Sequence, residues 1–301
     1  MKAHKPIVGV TFDSLVMIKS LENTEADTTA ILQESIQGHL DANNKSLMII
    51  ERRVSNADEF LEAISELIEA AEKGLKPLVN VDCHGDMFDG LVFSDGSILS
   101  WAVISESLTQ LNRATEFNLI AVFSACFGAH FISSVDALSP APFALMVASN
   151  DEIYPDELLR GLRAFYNKLF DTLNVLEAVK ALHSERLQNG SWFIEFADTW
   201  YLEIVTAYIK HHCTKSQCRK RVQDMHAILK AEQITLNNKP MSLGYIKGTL
   251  KQANRKKLIN EHFEQYFMVE SIPSNSLKYA HVKEILMTRL VEFRKTGKYL
   301  V

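Results

Sequence analysis

Two short stretches of this chain carry side chains able to do covalent chemistry together. One is Val79-Asn-Val-Asp-Cys-His84-Gly85-Asp86, the other Leu119-Ile-Ala-Val-Phe-Ser-Ala-Cys126-Phe-Gly128-Ala129, and His84 and Cys126 stand 42 residues apart. A thiol attacks a carbonyl carbon only as the thiolate, so it needs a base or a cation beside it. Histidine suits that task because it takes and returns a proton near neutral pH. Gly85 lets a reacting carbonyl come close to the backbone, and the amides of Gly85 and Cys126 are candidate donors to a developing oxyanion. The chemistry these residues suggest is acyl transfer through a cysteine nucleophile.

The surroundings offer candidates for a pocket. Asp82 lies two residues before His84, hence on the same face of a strand, inside an apolar run. A buried carboxylate there must be paired, so Asp82 orients the imidazole, lines the substrate pocket, or ties up local structure. Cys83 points to the opposite side and reads as core. Asp86, Asp89, Asp95, Asp151, Glu152, Asp156 and Glu157 fall in loops or at helix starts. An acidic rim favours basic substrates, although Asp156 and Glu157 equally suit a helix dipole.

Both stretches must sit at the carboxyl ends of buried strands, where open α/β sheets gather their ligands. The first 190 residues alternate apolar, β-rich runs with helical periodicity. Strands are expected at Pro6–Thr11, Leu47–Arg52, Pro77–Cys83, Asn118–Ser124 and Phe143–Ala148, with a hairpin about Asp95-Gly96. Helices are expected between them. One has its N-cap at Ser55 or Asn56, with Phe60, Leu61, Ile64, Leu67 and Ile68 on one face. Another carries Trp101, Ile104, Leu108 and Leu111, and two more cover Pro155–Phe170 and Val175–Leu187. This pattern predicts an α/β domain over residues 1–190, a mostly parallel sheet with helices on both faces.

From Ser191 the β signals fade. Asp198–Ile209, Arg219–Gln233, Tyr245–Lys257 and Ala280–Lys295 read as helices, with a break at Asn237–Pro240. Residues 191–301 thus form a helical region. It is also basic, with net charge +8 against −13 for residues 1–190. Its aromatic entrance, Trp192, Phe193, Phe196, Trp200 and Tyr201, reads as core, so the region is expected to pack on the first domain and to offer a surface for a regulatory partner. Lys215–Arg221 and Lys251–Lys257 read as solvated helix faces rather than a nucleic-acid contact.

Composition agrees with a globular protein, 47% hydrophobic and 23% charged. No apolar run reaches the length of a membrane span, and the first residues lack the features of a secretory leader. Four scattered cysteines suggest free thiols and a cytoplasmic setting rather than a disulfide framework. His211-His212-Cys213 with Cys218 lacks a recognised zinc spacing, so no metal and no cofactor is expected.

A strand ending in His84-Gly85, followed by one ending in Ser124-Ala125-Cys126-Phe127-Gly128, resembles the caspase-like cysteine peptidases of clan CD, most closely their CHAT-type bacterial branch. The likeness continues through Phe143–Ser149, the acidic loop Asn150-Asp151-Glu152, Phe165-Tyr166 and Leu176-Glu-Ala178, and spans about residues 75–187. It implies a caspase-like sheet, a His84/Cys126 dyad and an oxyanion hole at the amides of Gly85 and Cys126. It implies a protein substrate, in related members a gasdermin-like one, cut in a bacterial defence or regulated cell-death circuit. Metacaspase-like relatives carry an aspartate where this chain has Ser124, so the pocket is left to Asp82, Ser124, Asp151 and Glu152 as candidates. Two other readings fit the same residues. One is a caspase-fold interaction module without activity; the other is a Cys/His hydrolase of small molecules.

Overall fold

The computed structural model describes residues 10–299 apart from 23, 137, 237–238 and 257–259. They divide into two units, the first running to Asp136 and resuming over Ala141–Ala197, the second beginning at Asp198 and including residues 138–140.

The first unit is α/β. In chain order its elements are β1 (Ser14–Ser20), α1 (Thr28–Ala42), β2 (Met48–Arg53), α2 (Ala57–Glu72), β3 (Pro77–Asp86), β4 (Gly90–Val92), β5 (Ile98–Leu99), α3 (Trp101–Ala114), β6 (Ile120–Ser124), β7 (Leu145–Ser149), α4 (Pro155–Thr172), α5 (Val175–Ser184) and β8 (Trp192–Phe196). The main sheet runs β2-β1-β3-β6-β7-β8; its first five strands are parallel and β8 is antiparallel to β7. β4 and β5 form a small hairpin pairing with the far end of β3.

Side-chain alternation explains how the sheet is covered on both faces. Leu15, Met17, Leu78, Ile120, Val122, Leu145 and Val147 join one core with the buried faces of α1, α4 and α5. Residues of opposite parity look the other way, where Trp101 of α3 stands edge-on to Phe123 of β6 at 5.9 Å. Each such leucine or aromatic ring taken out of water contributes about 1.5–3 kcal/mol. The helices begin where local chemistry starts them. Asn56 accepts from the Glu59 amide at 2.8 Å, and the Glu59 carboxylate reaches back to the Ser55 amide at 2.7 Å. Asp27 caps α1 through the Ala30 amide at 2.9 Å.

Two expectations change. The first strand is Ser14–Ser20, not Pro6–Thr11; Val10 and Thr11 are outside any strand, and residues 6–9 lie outside the described residues. Leu15-Val-Met-Ile18 is a short apolar run, but pairing with both β2 and β3 buries it completely. The β signals also do not end at Gly190. Trp192–Phe196 adds an edge strand to β7, so the sheet continues past the charge switch.

The second unit is helical: α6 (Ala197–His212), α7 (Lys215–Ala231), α8 (Leu243–Lys256), α9 (His262–Tyr266), α10 (Asn275–Lys278) and α11 (Ala280–Lys295). Between α7 and α8, Thr235–Leu236 and Lys239–Pro240 make one two-residue antiparallel ladder where a break was expected. Its core is aromatic: Tyr201, Phe263, Tyr266 and Phe267 are buried together, and Phe267 stacks on Tyr279 at 4.3 Å. Among the described residues no helix is long and apolar enough to cross a membrane.

Candidate active site at the strand ends

β3 and β6 are adjacent and parallel, and their register sets Asp82 beside Ser124. Two residues further along come His84, still on β3, and Cys126, in the turn that follows β6. The approach is confirmed at the next residue. A Cβ built on Gly85 would run into the carbonyl oxygen of Cys126 and lie 3.3 Å from the Cβ of Ala125. Only glycine fits there, which gives the His-Gly pair a steric reason.

After β6 the chain turns sharply. Phe127 takes the left-handed conformation, φ 56 and ψ 16, and a short 3-10 helix over Gly128–Ser134 follows. For a side-chain-bearing residue this backbone costs roughly 1 kcal/mol. It is held by the Phe127 amide donating to the Asp151 carbonyl at 3.2 Å. Gly128 lets the turn press on the sheet, since a Cβ there would stand 2.9 Å from that of Phe123.

The Cys126 thiol is half-buried and free. The Ile153 amide donates to its sulfur at 3.5 Å, and the thiol faces the Ile153 carbonyl at 3.9 Å. An amide aimed at the sulfur is a donor available when the sulfur carries charge. The backbone amide of Cys126 itself has no partner among the described residues, as an oxyanion donor requires. The His84 ring is half-exposed, and its Nε2 lies 2.8 Å from Oε1 of Glu25 on the turn between β1 and α1. No hydrogen bond joins His84 to Cys126; in unliganded active sites such contacts are often loose.

Glu25 is the partner that sequence reading missed. Nothing in its local pattern marks it, because only the β1–β3 pairing brings residues 59 apart together. Asp82, read as a possible orienter of the imidazole, does something else. It is buried, and its Oδ2 accepts from the hydroxyls of Thr28 and Thr29 at 2.6 and 2.7 Å, fastening the start of α1 to β3. Burial pushes its carboxyl above the ordinary value of 3.8, against the pull of the two hydroxyls.

Ser124 is also interior. Its hydroxyl donates to Oδ1 of Asn80 at 3.0 Å, and the Tyr166 hydroxyl donates to the same oxygen at 2.9 Å. Ser124 and Asp82 are therefore both buried, with their side-chain oxygens engaged inside the fold. Asp151 and Glu152 lie on the loop that holds Cys126. The Asp151 carboxylate accepts from the Glu152 amide at 2.8 Å, and the Glu152 side chain is exposed. Asp86 folds the β3–β4 turn by accepting from the amides of Phe88 and Asp89, which hold its carboxyl below the usual range. Phe88, at the tip of that turn, is 85% exposed.

The other cysteines sit in core. Cys83 is buried on the face away from His84, and burial together with the Asp82 charge pushes its thiol well up. In the second unit burial raises Cys213 to about 12 and also raises Cys218, so neither is poised as a thiolate. Among the described residues no three His, Cys, Asp or Glu side chains are grouped to hold a metal ion.

No protein-family model matches this chain, and no curated protein matches it significantly.

Proposed function

We propose that the chain is a caspase-like cysteine endopeptidase in which Cys126 is the nucleophile and His84 its general base and acid. The observation that carries this reading is the meeting of the His84-Gly85 and Cys126 backbones at the carboxyl ends of adjacent parallel strands. Further support comes from the unpartnered Cys126 amide and from the sheet order, which reverses between β1 and β3 and so opens its crevice beside the His84 end of β3.

In this scheme the thiol gives its proton to His84 and the sulfur adds to the scissile carbonyl carbon. The amides of Cys126 and Gly85 receive the charge that gathers on oxygen. The carbon–nitrogen bond breaks as His84 returns the proton to the leaving amine, leaving a thioester. Water then adds to that carbonyl, surrendering a proton to His84, and the carbon–sulfur bond breaks to release the carboxylic acid and restore the thiol. The substrate is a protein, with a gasdermin-like protein in a bacterial defence setting as the first class to try.

The test is mapping of new protein termini in cells expressing wild type or Cys126→Ala. Termini that appear only with wild type and vanish with His84→Ala support the reading. Identical termini from a folded Cys126→Ala protein contradict it. Absence of Cys126 labelling by an activity-based thiol probe favours the interaction-module alternative, and labelling without any protein cleavage favours the Cys/His hydrolase of small molecules.

A further inference from the structure

Resting on the dyad reading, we propose that Glu25 is a positioning residue for His84. It holds the imidazole through Nε2, leaves Nδ1 for the Cys126 thiol, and balances the positive charge that arrives with the thiol's proton. The contact is 2.8 Å, between His84 on β3 and a carboxylate on the turn leaving β1. β1 and β3 are the strands between which the sheet order reverses. Their loops depart toward opposite faces, and the gap between them is where such sheets place ligands.

The turn that carries Glu25 is built to hold it. The Glu22 amide donates to its second carboxylate oxygen at 2.8 Å, and the Glu25 amide donates to the Glu22 carbonyl at 3.2 Å. Just beyond, Asp27 caps α1 and accepts Lys19 of β1 at 2.7 Å, while Thr28 and Thr29 are fastened to Asp82 of β3. The base of the turn is thus tied to both strands flanking the crevice, and Asp82 serves the site indirectly by anchoring it. The Glu25 side chain is 32% exposed and that of His84 53%. An exposed pair of this kind does little for folding stability, so its use lies in the tautomer and charge of the ring.

The test needs no substrate. In the full-length protein, alkylation of Cys126 by iodoacetamide is followed by peptide-resolved mass spectrometry across about pH 5 to 9, the range over which thiols and imidazoles change charge. Sulfur displaces iodide from carbon, and the thiol's proton passes to His84. Glu25→Ala is expected to slow this reaction by about 10- to 100-fold, the size of effect that losing an orienting partner has on metal-bound histidines. Glu25→Asp should recover part of the rate. Glu25→Gln keeps the shape without the charge and should change the form of the pH–rate profile, with the thermal midpoint unmoved. A purely structural role would lower the midpoint and leave that profile alone.

His84→Ala separates the two ideas. If it leaves Cys126 reactivity at the wild-type level, the dyad reading fails and this proposal with it. If His84→Ala is slow while Glu25→Ala reacts like wild type, the dyad stands and Glu25 is not its positioning residue. Should Glu25→Ala fail to fold, Glu25→Gln decides, and a profile superimposed on wild type overturns the proposal.

Discussion

The α-carbon of Gly85 rests against the peptide carbonyl of Cys126: a methyl group added there would lie 3.2 Å from that carbonyl carbon and closer still to its oxygen. Two segments separated by more than forty residues in sequence are thereby locked at one point, and neither neighbour is the yielding end of a flexible side chain.

Gly85→Ala should therefore displace either the end of β3 or the Cys126 turn. Misplacing reacting groups by about an ångström costs on the order of 100-fold in rate. Overpacking of this kind also costs about 1–3 kcal/mol of stability. Cys126 alkylation and urea unfolding measure the two effects. A variant with wild-type reactivity and stability would show that the two strand ends are not held together in this way.

Asp82 gives a pH-dependent prediction. Its carboxyl is raised by burial, so the folded protein holds this proton more tightly than the unfolded chain does. The resulting contribution to stability is fully present below about 3.8, the unfolded value, and is lost as pH rises through the higher folded value. Asp82→Asn has no such loss. Relative to wild type it should gain stability steadily as the pH is raised out of the acid range, whatever its absolute stability. Urea midpoints at several pH values measure this, and parallel curves for the two proteins would rule it out.

Asp151 and Glu152 remain the acidic candidates beside the nucleophile once Asp82 and Ser124 are placed in the interior. With Asp151→Asn and Glu152→Gln combined, cleavage of peptides after Lys or Arg should weaken on the order of tenfold in kcat/KM, mostly at low salt. Asparagine can still accept from the Glu152 amide, so the loop should keep its shape. Equal rates for basic and apolar peptides in wild type, unchanged in the variant, would remove the acidic pocket.

Sequence periodicity located most helices of the sheet domain to within a few residues, because α2, α3, α4 and α5 each bury one stripe and start at a readable cap or proline. The first strand lies beyond the expected one because Leu15–Ile18 is short and is flanked by Lys19, which pairs with Asp27 and Glu51 rather than with water. The candidate pair is legible because both members end apolar runs, His84 directly before Gly85 and Cys126 two residues before Gly128. Glu25 was not, and neither was the Asn80–Ser124–Tyr166 layer, because a contact that depends on strand order leaves no mark on local spacing.

The edge strand β8 sets where the first unit can be cut. Ending the chain at residue 190 removes all five residues of β8, exposes the edge of β7, and empties the place of Trp192. That indole is 5% exposed, donates to the Glu185 carbonyl at 3.0 Å, and lies so close to Gly161 of α4 that no side chain fits between them. An open edge pairs readily with other chains. Losing a buried tryptophan costs about 3–5 kcal/mol. A fragment of residues 1–190 should therefore aggregate, while one carried through Ala197 keeps the strand and the hydrogen bond that the Ala197 amide donates to the Ala144 carbonyl at 3.1 Å. In the full-length protein Trp192→Ala should lower the urea midpoint to match that loss. A soluble 1–190 fragment as stable as 1–197, or an unchanged midpoint in Trp192→Ala, would show that β8 is dispensable to the sheet.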